Sequence, residues 1–143
     1  MPIHDEAGLI LQLYDLRREE TMRAARDWYV REFNPQTYKE LESVFFGPHS
    51  GHLRMVVSYW DMAAALVNNG AIGSQLFNDT NGEHFMVFTK VEPFLNDVRK
   101  AFGPQFAANL ERLVYNTPGG KERVAATRER IKAIMARLAT PRT

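Results

Sequence analysis

The chain of 143 residues is 45% apolar and 24% charged and contains no cysteine. That length suits a single domain able to bury roughly 68–70% of its unfolded surface. The missing thiols exclude disulfides, thiolate nucleophiles and cysteine-ligated zinc or iron–sulfur centres. A formal charge of +1 conceals a split: residues 1–120 carry 11 basic and 15 acidic side chains, residues 121–143 carry 7 and 2.

No apolar run approaches the ~20 residues of a membrane-spanning helix. The early run LILQLYDL, from Leu9, follows Asp5 and Glu6, where an export signal would carry basic residues, and no small-residue cleavage site follows it. A cytoplasmic protein is therefore expected, in which the glycosylation sequon at Asn78 has no meaning.

Helical periodicity dominates in chain order. From Glu6 to Leu16, Leu9, Leu13 and Leu16 share one face, flanked by Ile10 and Tyr14. Glu19 and Glu20 then open a second pattern, with Met22, Ala25, Tyr29 and Phe33 at spacings of three and four; the spacing alone leaves open whether the two segments join. Asn34-Pro35 predicts a boundary, with Asn34 as cap and Pro35 as first helical residue. Tyr38, Leu41 and Phe45 face inward on the helix that follows, which stops at Gly47.

A central helix is predicted over residues 53–69, with Gly70 as its left-handed terminator. AIGSQLF reads as a short helical turn. Thr80 and Glu83 stand in a capping-box relation before a helix over residues 81–102, which Pro93 should kink or split. Gly103-Pro104 ends that helix and begins another. The last helix, residues 121–138, places Val124, Ile131, Ile134 and Leu138 on its inner stripe. The expected fold is a single-domain, all-α antiparallel bundle of six or seven helices spanning residues 1–143.

On a helical wheel of the central helix, Arg54, Ser58, Asp61, Ala65 and Asn68 form one narrow polar stripe between two apolar faces. Such a stripe reads first as a solvated edge; Asp61 on it is either a structural group, facing water or paired with Arg54 or Arg26, or the polar wall of a pocket. The histidines offer no helical pair suited to a metal: His49 and His52 lie in a glycine-containing loop and His84 sits beside Glu83. DTNGE, from Asp79, fails as a calcium loop because its first ligand would be Phe77. GPHSGH and GAIGSQ lack the contexts of phosphate and dinucleotide loops. No metal or cofactor is expected. Arg123, Arg128, Arg130, Lys132 and Arg137 make the last helix a basic surface that could contact phosphates, but one with no aromatic, Asn or Gln side chain suited to reading or stacking on bases.

Three segments carry a resemblance. LYDLRREETMRAARDWYVREF (residues 13–33), VVSYWDMAAALVNNGAIGSQLF (56–77) and VEPFLNDVR (91–99) together resemble a bacterial family of small all-helical domains of unknown function. An Ala-Arg pair in an early helix matches Ala25 and Arg26. An aromatic-acidic pair in a central helix ending at glycine matches Trp60, Asp61 and Gly70, and a later proline followed by arginine matches Pro93 and Arg99. The resemblance covers about two-thirds of the chain, implies an all-helical fold, implies no activity, and leaves the last helix unmatched.

The favoured reading is a non-enzymatic helical domain acting through protein–protein interaction, as a homo-oligomer. A second is a small-molecule-binding protein or enzyme with an inter-helix pocket near Asp61, using Arg26 and Arg54. Nucleic-acid binding through the last helix is a third, ranked below both.

Overall fold

The computed structural model describes residues 2–140, and nearly all of them are helical. Helix α1 spans Ile3–Arg17 and α2 spans Glu20–Arg31. They are separate because Glu19 caps α2: its carboxylate accepts the Thr21 and Met22 backbone N–H groups, both at 3.0 Å. Those bonds hold the Glu19 carboxyl below its ordinary range. Of the predicted inner face of α1, Leu13 is buried and Leu9 partly so, but Leu16 is 56% exposed. The first helix rests on the body along one edge only.

Helix α3 spans Tyr38–Phe45, and its cap is Thr37 rather than Asn34. The Thr37 hydroxyl accepts the Glu40 N–H at 3.2 Å. Pro35 lies outside the helix, in the non-helical stretch before it. Helix α4, Ser50–Asn68, begins three residues earlier than predicted. Its end follows the expectation for Gly70, which sits at φ +85°. The Gly70 N–H reaches Val67 O at 3.0 Å and the Ala71 N–H reaches Leu66 O at 2.8 Å, satisfying carbonyls that the helix leaves open.

Helix α5 is Ser74–Thr80 and α6 is Glu83–Val91. The predicted capping box does not form, because Thr80 ends α5 and its hydroxyl donates back to the Leu76 and Phe77 carbonyls. Pro93 splits the long pattern: a 3-10 turn at Glu92–Phe94 separates α6 from α7, Leu95–Phe102. Helix α8, Ala108–Asn116, starts later than Pro104, after a turn that brings Ala107 to φ +55°. Helix α9 is Gly120–Ala139. The described residues thus hold nine α-helices where six or seven were expected, largely because the first and the proline-containing segments each divide.

Helix α4 lies at the centre, packed on α2 and α8 and also touching α3, α5 and α6; α9 lies on α6 and α8. Its apolar face is buried as predicted at Leu53, Val56, Val57, Trp60, Ala64 and Val67. Around it Tyr29, Leu41, Phe77, Phe85 and Phe88 are wholly enclosed. Ascending residues of α2 meet ascending residues of α6, with Arg26 on Glu83, Tyr29 on Val87 and Phe33 on Lys90, so these two helices run in the same sense. The inner stripe of α9 is shorter than predicted. Val124 and Ile131 are buried, whereas Ile134 and Leu138 are 49% and 41% exposed, because α9 outruns the helices that support its first half.

Candidate functional site

The polar stripe of α4 exists, and it faces the start of α8. Asp61 accepts the Leu110 backbone N–H at 2.9 Å and the Asn109 side-chain amide at 3.3 Å. Leu110 is the third residue of α8, so Asp61 supplies from another helix the cap that left-handed Ala107 cannot provide. A negative charge there also complements the helix dipole. One and two turns further along α4, Ala65 and Asn68 follow, and the Asn68 amide donates to Asn109 O at 2.9 Å. Neither Arg54 nor Arg26 pairs with Asp61.

Arg54, Ser58 and Asp61 line one side of an open groove of about 610 Å³. Phe45, Phe102 and Phe106 form its other side. The Phe45 and Phe102 rings stand 4.6 Å apart, and Phe46 packs on Phe102 from the rim at 6.1 Å. The rim is wet: Phe46 is 77% and Phe102 48% exposed. Arg54 is exposed and takes part in no hydrogen bond or ion pair among the described residues. Ser58 bonds only the Met55 carbonyl of its own helix. Arg99 braces the far wall, donating to Phe106 O at 3.0 Å and pairing with Glu111 at 3.2 Å.

Arg26 belongs to a different place. Its guanidinium clasps Glu83 through two bonds of 2.9 Å, and the same carboxylate accepts the Trp60 indole N–H at 3.0 Å. The bond to Glu83 holds Arg26 above its ordinary range, against the opposing effect of burial. Three helices, α2, α4 and α6, are tied by this one carboxylate.

Two buried groups gave little sign of themselves in the sequence. Lys90 donates to the carbonyls of Tyr29 at 2.7 Å and Phe33 at 2.6 Å, closing the C-terminal end of α2, while the Tyr29 hydroxyl donates to Val87 O at 2.6 Å. Burial pulls Lys90 down to about 8 and pushes the Tyr29 hydroxyl well up. His84 is fully enclosed by Trp60, Phe77 and Phe85; burial, helped by the charge of Arg123, lowers it to about 3. Its Nε2 lies 2.9 Å from Asn78 Oδ1, and its Nδ1 has no partner among the described residues. The signal available for Lys90 was a single cation near the end of the largely apolar run from Phe85 to Val91, which if buried needs a carboxylate or backbone carbonyls to receive it.

His49 and His52 stack near Trp28, with ring centroids 5.2 and 6.0 Å from the indole. Among the described residues no three His, Asp or Glu side chains are grouped to hold a metal ion. The basic residues of α9 divide. Arg123 lies over the Phe85 ring at 4.0 Å, and Arg128 reaches Glu92 at 2.6 Å and Thr89 O at 3.2 Å. Lys132 pairs with Glu129 of its own helix at 3.3 Å, while Arg130 and Arg137 stand exposed at its surface.

The chain belongs to the family described as a domain of unknown function (DUF4760), whose profile matches residues 2–117. The match ends before α9, and it includes every residue that carried the resemblance: Arg26 holds Glu83, Asp61 caps α8 and Arg99 braces the turn before α8. No curated protein and no solved structure matches the chain. No helix of the described residues is long and apolar enough to cross a membrane.

Proposed function

We propose that this chain is an interaction domain whose partner is a second copy of itself, joined through the outward face of α1. What carries the reading is the stripe Ile3, Ala7, Leu11 and Tyr14, spaced by four, four and three. All four are exposed, with Ile3 at 63%, Leu11 at 67% and Tyr14 at 48%. Three large side chains, Ile3, Leu11 and Tyr14, with the small Ala7 between the first two, line one side of the helix; Arg17 and Arg18 lie over the Tyr14 ring at 5.0 and 5.6 Å.

The stripe suits an antiparallel α1 pair about a two-fold axis. With the axis between Leu9 and Ile10, Leu11 of each copy lies against Gly8 of the other, where open space surrounds the missing side chain. The same register sets His4 against Asp15 and reverses the two helix dipoles. A helix of 15 residues is about 22 Å long. One face of it makes a small interface, so the dimer is transient and concentration-dependent.

Sedimentation velocity over a wide concentration range tests this, with Leu11→Asp and Gly8→Met as variants. Gly8→Met adds a side chain where the monomer has room, so it leaves the fold intact while blocking the partner's Leu11. Dimer in the parent chain, weakened at least tenfold by each variant, is the expected result. A monomer at every concentration, or a dimer indifferent to both changes, overturns the proposal.

A further inference from the structure

We infer that the groove beside α4 is a binding site for a small apolar carboxylic acid, held by Arg54. None of the residues lining this groove belongs to α1, so the site does not depend on the α1 face. Its volume of about 610 Å³ falls in the range of small-molecule sites, which combine apolar walls with few polar groups. Phe45, Phe102, Phe106 and Val57 supply the apolar surface, and the two aromatic side chains at the rim leave it open to a ligand.

The polar groups set the orientation. Among the described residues Arg54 is the one basic side chain that lines the groove, and no carboxylate engages it. Guanidinium recognises a carboxylate through two parallel N–H donors. Asp61 lies seven residues, or about 10 Å, further along α4. Its oxygens already receive the Leu110 N–H and the Asn109 amide, so it is a structural cap rather than a second binding group. Its charge nevertheless disfavours an anion at that end. A ligand therefore lies with its carboxylate at Arg54 and its ring or chain against the phenylalanines.

Titration with 4-phenylbutyrate and with its uncharged counterpart 4-phenylbutan-1-ol tests the assignment, followed by calorimetry and by amide NMR shifts. The acid is expected to bind about tenfold more tightly than the alcohol, the scale of one charge-assisted contact, with shifts centred on Ser58 and Ala107. Arg54→Gln should bring the acid to the level of the alcohol and leave the alcohol unchanged. Phe102→Ser, at a half-exposed position, should weaken both. Equal affinities in the parent chain, binding of neither compound, shifts confined to other surfaces, or an acid affinity untouched by Arg54→Gln each overturn it.

Discussion

The carboxylate of Asp61 and the backbone N–H of Leu110 meet at 2.9 Å across the α4–α8 contact. The acid in the middle of the central helix α4 thus caps a helix, binding a residue 49 positions further on. Helix α8 has no cap of its own, because Ala107 has neither a hydrogen-bonding side chain nor a normal capping conformation.

Asp61→Ala should therefore cost about 0.5–2 kcal/mol, the range for losing a cap. Asp61→Asn, which keeps an acceptor oxygen, should cost only a small part of that. Urea unfolding of the two variants beside the parent decides it. Equal losses would mean that the cap contributes little and that the negative charge matters for another reason.

His84 predicts a pH dependence. Its pKa is about 3 in the folded chain against 6.5 as the ordinary value. Between those values the unfolded state binds a proton that the folded state refuses, so stability falls as pH drops from about 6.5 toward 3. The slope from this one group approaches about 1.4 kcal/mol per pH unit. His84→Gln retains a donor for Asn78 and should flatten the curve in that window. Parallel curves for parent and variant would remove His84 from the account.

Two glycines should respond unequally to alanine. At Gly70 a methyl group meets no neighbour, so Gly70→Ala carries only the strain of φ +85°, about 1 kcal/mol. At Gly120, where φ is not positive, the added carbon would run into the Val114 carbonyl. Relief there requires the end of α8 and the start of α9 to separate. Thermal unfolding should show the Gly120→Ala loss to be clearly the greater.

What was legible in the sequence depended on distance along the chain. The Gly70 terminator and the division at Pro93 both follow from one residue's backbone restrictions, and both were visible. Capping was less so. Glu19, Thr37 and Thr80 compete with near neighbours for the same role, and small differences in where a helix begins decide the winner. The candidate stripe was legible as a stripe, since helical spacing places Arg54, Ser58, Asp61 and Asn68 together. Its neighbours were not, because nothing local says that α8 and three phenylalanines from α3, α7 and the α7–α8 turn come to lie beside it.

By itself, then, the sequence determined an all-helical chain with α4 at its centre, since apolar periodicity and glycine–proline punctuation are properties of single segments. Only the tertiary structure decided that Asp61 serves α8, that Glu83 gathers Arg26 and Trp60, and that Lys90 closes α2. It also decided that Leu11 and Leu138 stay outside. Those outcomes depend on which buried donors and acceptors meet, and on where supporting helices end. Side-chain reach of a few ångströms joins residues that the chain separates by dozens of positions.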